Sequence, residues 1–257
     1  MTIRTTWYAA ILPVAALLCG VPAQAQSGDQ SKPPVYTYIS EWAVPRAQWA
    51  DMVKLDEQDR TLMDKLVSDG TLTGYGEFTN VIHQEGEPTH GTWFSATSEG
   101  NLLKALEAVY AQPGLTTSPV QSASKHWDYL MESTLYNQRS GTSESGYLAG
   151  QEWNVKPGNM RAYRDLMKSA AVPVFEKLLA DGTVTAYGMD AEDFHTHKPG
   201  RVSFYYTTPD AAAFDKASKA IDEAFEKNPA LGSAFESMVE RESHRDFLAR
   251  IRHMNNK

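Results

Sequence analysis

The chain has 257 residues, of which 42% are hydrophobic, 11% aromatic and 22% charged. This length fits one large domain or two small ones, and the apolar content is sufficient for a packed core. The 32 acidic and 24 basic residues give a formal net charge of −8, which excludes nucleic acid and anionic membrane surfaces as expected partners.

The N-terminus has the features of a signal peptide over residues 1–25. A short basic start precedes an apolar run at 9–18, and Ala-Gln-Ala at 23–25 matches a signal-peptidase site. The apolar run is shorter than the roughly 20 residues of a membrane-spanning helix, which argues against the alternative of an anchor. We therefore predict a periplasmic or secreted protein with a flexible leader at 26–34. Its mature chain would lack Cys19, the only cysteine, and with it any disulfide or thiol chemistry.

Hydrophobic periodicity and turn residues predict the order β-α-β-β-α-β over residues 35–131. The predicted strands lie near 35–42, 71–78, 92–96 and 125–131. A helix follows Pro45 and ends at Gly70, and a second helix begins after Ser98 and ends before Pro113.

Residues 132–145 are mostly polar and are predicted to be a linker. The same order of elements then follows over residues 146–257. Its predicted strands lie near 147–153, 183–189, 201–207 and 244–248. One long helix is expected from Pro157 to Asp181, and an alanine-rich helix over 209–227 precedes a short helix over 231–240.

A twelve-residue stretch occurs twice, at 65–76 and at 177–188, with eight identical positions. Further matches extend along the chain: Glu41-Trp42 with Glu152-Trp153, His83 with His195, and 126–130 with 244–248. The slowly growing offset between matches is typical of loop insertions, so the sequence predicts two tandem repeats. The alternative is two unrelated α+β segments with chance similarity.

Two β-α-β-β-α-β units in one chain resemble the dimeric α/β-barrel superfamily, over roughly residues 35–250. The resemblance implies an α+β fold of two tandem ferredoxin-like repeats whose antiparallel sheets pack face to face around a pocket. It also implies either a monomer with an internal pseudo-dimer or a homodimer. Similar proteins include quinol-type monooxygenases, polyketide cyclases, muconolactone isomerases and haem proteins related to chlorite dismutase. The fold therefore leaves the activity open and the cofactor unknown.

Polar residues that recur in both halves are the candidate catalytic residues. They are His126, Asp128, His244, Asp246, Glu41 and Glu152. Residues two apart on a strand share a face, so each carboxylate can orient its imidazole as a general base. A ferredoxin-like strand order would also bring each glutamate near the histidine of its half. The alternatives are a structural His-Asp pair and inter-strand ion pairs.

Repeated aromatic residues on the strands are the candidate ligand-binding residues: Trp42, Trp153, Tyr75 and Tyr187. An aromatic pocket suits a flat apolar ligand, although the same residues also suit a core between sheet and helices. No metal site is predicted. The repeated residues lack a diagnostic ligand spacing, and His195 and His197 could chelate a divalent metal if extended, but short His-x-His pairs in polar loops are more often solvated. No phosphate-binding glycine loop, G-x-S-x-G or His-Glu-x-x-His motif is present.

The sequence therefore favours an exported protein that binds a small apolar or aromatic molecule in a pocket between two sheets. One alternative is a cofactor-independent monooxygenase-like or isomerase-like enzyme that uses a His-Asp pair. Another is a structural or interaction module without chemistry.

Overall fold

The computed structural model describes residues 32–113, 118–195 and 198–257. The predicted signal peptide and most of the predicted leader lie outside these residues. The strands are β1 (Val35–Ala43), β2 (Gly74–Asn80), β3 (His90–Ala96), β4 (Lys125–Gln138), β5 (Gly141–Ser143), β6 (Tyr147–Val155), β7 (Ala186–Glu192), β8 (Arg201–Thr208) and β9 (Val239–Asn256).

The helices are α1 (Trp49–Ser68), α2 (Glu99–Tyr110), α3 (Pro119–Ala123), α4 (Met160–Ala170), α5 (Val172–Ala180), α6 (Ala211–Glu226) and α7 (Pro229–Met238), and a short 3-10 helix (Arg46–Gln48) precedes α1. Within the described ranges, no helix has both the length and the apolar character needed to cross a membrane.

The strands form one closed antiparallel barrel of eight strands, in the order β2-β3-β1-β4-β7-β8-β6-β9, in which β9 pairs back with β2. The short strand β5 adds to the side of β9. The prediction of two separate sheets packed face to face was wrong. As a separate sheet, each set of four strands would have two edge strands with unpaired backbone N–H and C=O groups. In the barrel these edge strands hydrogen-bond to each other, β4 to β7 and β2 to β9.

All neighbouring strands are antiparallel, so the direction of each strand follows from the pairings. β1, β2, β6 and β7 run one way, and β3, β4, β8 and β9 run the other. Consequently the β2–β3 loop, the ends of β1, β6 and β7, and the starts of β4, β8 and β9 lie at one end of the barrel. We call this the upper end.

The two halves of the barrel have the same strand order, β4-β1-β3-β2 and β9-β6-β8-β7. Pairing partners therefore define matching positions. Glu41 pairs with Gly91 across β1–β3, and Glu152 pairs with Ser203 across β6–β8, so Glu41 and Glu152 match. These matches identify where the halves differ inside the barrel.

The helices cover the outer face of the barrel and form the apolar core with it. One cluster of buried residues packs α4, α5 and α6 on the second half, and a smaller one packs α1 and α2 on the first half. Gly70 and Gly182 end α1 and α5 with φ of 83° and 81°, the left-handed region that a helix stop favours.

Two segments differ from the expected boundaries. The helix predicted from Pro157 to Asp181 is divided at Ala171 into α4 and α5, because Pro173 has no N–H to continue the helical hydrogen bonds. Residues 132–145, predicted to be a linker, contain the second half of β4 and all of β5.

A charged cluster lies where α1 packs over the junction of β2 and β9. Arg252 donates to Asp56 at 2.7 Å and to Glu77 at 3.0 Å, and both carboxylates are buried. Arg60 also donates two hydrogen bonds of 2.8 Å to Glu77. This cluster connects the first helix to both strands that close the barrel.

Candidate functional site

The interior of the barrel contains a cavity of about 490 Å³ that opens at the upper end. Its wall combines polar side chains with an apolar and aromatic part formed by Ile39, Phe78, Trp93, Tyr129, Met131, Leu148, Tyr205, Phe247 and Met254. Its ionisable residues are Glu41, Glu87, Glu152, Asp190, Asp246, Arg201, Arg245, His83 and His244. A concave apolar site with a few polar groups is the usual form of a small-molecule site.

Glycines on the strands keep the cavity open by allowing aromatic rings to lie against the wall. The Tyr205 ring lies over Gly188, where an added Cβ would be 2.7 Å from the ring and its hydroxyl. Trp93 lies over Gly76 in the matching place of the other half. A side chain at either glycine would push the ring into the cavity.

Glu152 is neutralised inside the cavity by Arg201. The guanidinium of Arg201 donates to Glu152 Oε1 at 2.6 Å and lies 4.2 Å above the centre of the Tyr129 ring. Both members of the pair are largely buried, with side-chain exposures of 14% and 20%. The pair is therefore a fixed polar part of the wall.

Glu41 points into the same region of the cavity but makes no hydrogen bond with a described residue. Burial raises the pKa of Glu41 to about 7, and the nearby charge of Glu152 adds to this effect. The cations of Arg245 and Arg201 oppose the increase. A carboxyl group with this pKa exchanges its proton near neutral pH, as a general base must.

The difference between the two glutamates follows from one substitution between the halves. Arg201, which pairs with Glu152, is matched in the first half by Thr89. Thr89 uses its hydroxyl to bond the backbone at Val44 and Trp42 and leaves Glu41 unpaired. The first half therefore has a free carboxyl where the second half has an ion pair.

The β2–β3 loop covers part of the upper opening. Residues 82–84, Glu87 and Pro88 line the cavity, and Glu87 accepts a hydrogen bond from Arg245 at 3.2 Å. Both side chains of this ion pair are about half exposed. The pair joins the loop to β9 at the entrance.

A second carboxyl group, Asp190 on β7, lines the cavity away from any cation. It is 3% exposed and accepts a hydrogen bond from the Ser133 hydroxyl. Burial raises the pKa of Asp190 to about 7, and the bond from Ser133 opposes this only partly.

The predicted catalytic residues are divided between the cavity and the outer face. Glu41 and Glu152 line the cavity. His244 and Asp246 touch it only at its upper edge, because β6 and β9 pair Glu152 with Arg245 and alternation turns the residues on either side of Arg245 to the outer face. His126 and Asp128 lie outside it, because β1 and β4 pair Glu41 with Trp127 and Trp42 with His126. Alternation along the strands therefore places Glu41 and His126 on opposite faces of the sheet.

The His-Asp pairs form, and each histidine is stacked on a tryptophan. His126 Nε2 lies 2.8 Å from Asp128, and its ring is 3.7 Å from that of Trp42. His244 Nε2 lies 3.1 Å from Asp246, and its ring is 3.9 Å from that of Trp153.

The four aromatic residues predicted to bind a ligand do not line the cavity. Trp42 and Trp153 pack between the barrel and its helices. Tyr75 and Tyr187 are buried under the helices, and their hydroxyls bond the helix carboxylates Asp64 and Glu176. The aromatic wall of the cavity is formed by other residues.

Among the residues that the structure describes, no group of three or more histidine, cysteine or acidic side chains is placed to hold a metal ion. The sequence interpretation did not single out Arg201, Asp190 or the strand glycines. The glycines had a signal, since Gly76 and Gly188 belong to the duplicated stretch. Arg201 and Asp190 had no such signal, because the matching positions of the first half carry different residues.

No family profile matches the sequence, and no curated protein sequence matches it either. Solved structures are similar in fold at low identity. A candidate monooxygenase from Lactobacillus acidophilus has a TM-score of 0.64 and 11% identity, covering 88% of this chain and 97% of its own. A candidate monooxygenase from Fusobacterium nucleatum has a TM-score of 0.63 and 9% identity, covering 87% and 94%.

An anthrone oxidase-like protein has a TM-score of 0.55 and 13% identity, covering 88% of this chain and 94% of its own. A haem-binding protein from Thermus thermophilus has a TM-score of 0.53 and 12% identity, covering 84% and 90%. The chain therefore has the dimeric α/β-barrel fold, with the barrel closed within a single chain.

The residues of this cavity do not fit a haem group. The lining has five carboxyl side chains and two arginines, and each arginine is already paired with a carboxylate. The propionates of haem would add further negative charge, and among the described lining residues no lysine or unpaired arginine is left to receive them.

Proposed function

We propose that the barrel binds a small, flat and mainly apolar organic molecule and that Glu41 removes a proton from one of its carbon atoms. The observation that supports this most directly is the free carboxyl of Glu41 in the cavity. Proton loss from carbon is the first step both of cofactor-independent oxygenation by O2 and of isomerisation. The names of the similar structures, candidate monooxygenases and an anthrone oxidase-like protein, agree with this class of reaction.

The surroundings of Glu41 suit proton abstraction from a weak carbon acid. Its raised pKa makes it a stronger base than an ordinary glutamate, and its burial reduces the contact with water that would compete for the proton. Arg201 and Arg245 lie close enough to lower the pKa of Glu41, so part of the carboxyl is ionised near neutral pH and can accept a proton. The aromatic wall favours a planar molecule.

Anthrone is a suitable probe, because its methylene protons are acidified by the adjacent rings and the ketone. We expect the protein to accelerate exchange of these protons in deuterated water without oxygen, measured by loss of the methylene signal in proton NMR. Glu41→Gln is expected to lower the catalysed rate by about 100-fold or more. The matched control is Glu132→Gln on the outer face of β4, which should leave the rate unchanged.

Retention of catalysed exchange in Glu41→Gln contradicts the role of Glu41. If His126→Asn removes exchange instead, the His-Asp pair is the base, although it lies outside the cavity. A second incubation in air separates the two reaction classes. An oxygenase converts anthrone and O2 into anthraquinone and water, whereas an isomerase only exchanges the protons.

A further inference from the structure

Asp190 forms the centre of a polar cluster in the wall of the cavity, and this cluster takes no part in the chemistry assigned to Glu41. Ser133 on β4 pairs with Asp190 and donates a hydrogen bond to its Oδ1. The other carboxyl oxygen of Asp190, Oδ2, makes no hydrogen bond with a described residue. The Tyr205 hydroxyl lies beside Gly188, two residues before Asp190, and both Ser133 and Asp190 influence its pKa, so three polar groups lie near one another.

The same place in the other half of the barrel is apolar. Phe78 on β2 pairs with Ile251 on β9 in the way that Asp190 pairs with Ser133. Trp93, over Gly76, holds the position of Tyr205. The fold therefore forms this part of the wall without any polar group, and packing does not require a carboxyl at position 190.

Burying a carboxyl group without a cation costs free energy. A function of the group would explain why it is present despite that cost. Charged groups of the cavity act on Glu41, whereas burial alone raises the pKa of Asp190, against the lowering effect of the Ser133 hydrogen bond. Near neutral pH a large fraction of Asp190 therefore carries its proton. The pKa of Tyr205 is raised well above its usual value by burial and by Asp190, so its phenol also keeps a proton to donate.

We propose that Asp190 and the Tyr205 hydroxyl bind a hydrogen-bond acceptor of the substrate, a ketone carbonyl oxygen, while Glu41 faces the acidic carbon. This inference rests on the proposed function and specifies its substrate class as a planar ketone with an acidic C–H group. Asp190 is then a specificity-determining residue, and Ser133 positions it.

The test compares two probes with the same carbon skeleton. Anthrone carries a ketone, and 9,10-dihydroanthracene has the same three rings without oxygen. Dissociation constants are measured without O2 from quenching of tryptophan fluorescence. The wild-type protein is expected to prefer anthrone by about tenfold or more, because the unpaired donor is satisfied by the carbonyl only. Asp190→Leu is expected to abolish this preference, and Asp190→Asn, which keeps an N–H donor, to retain most of it.

Thermal unfolding of the same variants shows whether they fold, and Asp190→Leu is expected to be at least as stable as the wild-type protein. An unchanged preference for anthrone in Asp190→Leu overturns the inference. Equal binding of both probes by the wild-type protein overturns it as well but leaves the role of Glu41 intact. Failure of the wild-type protein to bind either probe contradicts the proposed function itself, and with it the ketone assignment.

Discussion

Glu41 and Glu152 occupy matching positions, but they differ in their neighbours and therefore in their availability for proton transfer. Glu152 is held by Arg201, whereas Glu41 faces the cavity with a pKa raised to about 7. The burial of Glu41 is incomplete on the cavity side, so a bound molecule can reach the carboxyl. A single residue, arginine or threonine, thus decides which carboxylate is available for proton transfer.

The pH dependence of exchange is expected to follow Glu41. Because the carboxylate is the active form, the rate should rise about tenfold per pH unit below pH 7 and level off above it. Arg245→Gln removes a cation that lowers the pKa of Glu41, so the midpoint should move to higher pH. The rate is measured by NMR between pH 5 and 9.

Arg241→Gln is the matched control for this measurement. Arg241 is exposed on β9 and pairs with Glu236 outside the cavity, so its removal should leave the midpoint in place. A midpoint that stays unchanged or moves to lower pH in Arg245→Gln would show that another group controls the rate.

At the level of the strands, the cavity exists because glycines and aromatic residues face each other across neighbouring strands. Gly188→Ala places a methyl group against Tyr205 and forces its ring towards the cavity. We expect destabilisation of about 1–3 kcal/mol and weaker binding of anthrone. Urea unfolding and fluorescence titration measure these two effects.

Gly100→Ala on α2 is the control for this substitution. An added Cβ meets no other atom there, and alanine favours a helix over glycine. Stability should stay the same or rise, with binding unchanged. Equal behaviour of the two variants would mean that the contact between Gly188 and Tyr205 does not shape the cavity.

The sequence allowed prediction of the elements that depend on local pattern. The strand order β-α-β-β-α-β in each half, the helix stops at Gly70 and Gly182 and the two glutamates were all visible in the residues. The face on which a strand residue lies was harder to predict. Glu41 and Trp42 are adjacent and point to opposite faces, and only the register between β1 and β4 shows that His126 shares the outer one.

Closure of the barrel was beyond the local pattern for a physical reason. A strand with one buried face alternates in the same way in a sandwich and in a barrel. The decision depends on which edges pair, and the β2–β9 pairing joins residues that are about 180 positions apart in the chain. Asp190 and Arg201 were missed because searching for repeated residues selects what the halves share.

At the level of the whole molecule, the charged cluster under α1 holds the β2–β9 junction. Arg252→Leu leaves Asp56 and Glu77 buried without their shared partner. We expect a loss of about 3–5 kcal/mol in the free energy of unfolding, measured in urea by circular dichroism. Arg250→Leu, at an exposed position of the same strand, should change stability by no more than about 0.5 kcal/mol. A small effect of Arg252→Leu would show that backbone pairing alone maintains the junction.

Both halves of the barrel belong to one polypeptide, and this affects how the residues of the cavity can be substituted during evolution. When two identical subunits build a barrel, every interior residue appears twice, and a beneficial substitution on one wall is imposed on the other. Here the β4–β7 and β2–β9 junctions close the barrel within one polypeptide. Each wall can therefore change alone, so a free acid, an ion pair and a buried carboxyl can occupy one interior without being duplicated opposite themselves.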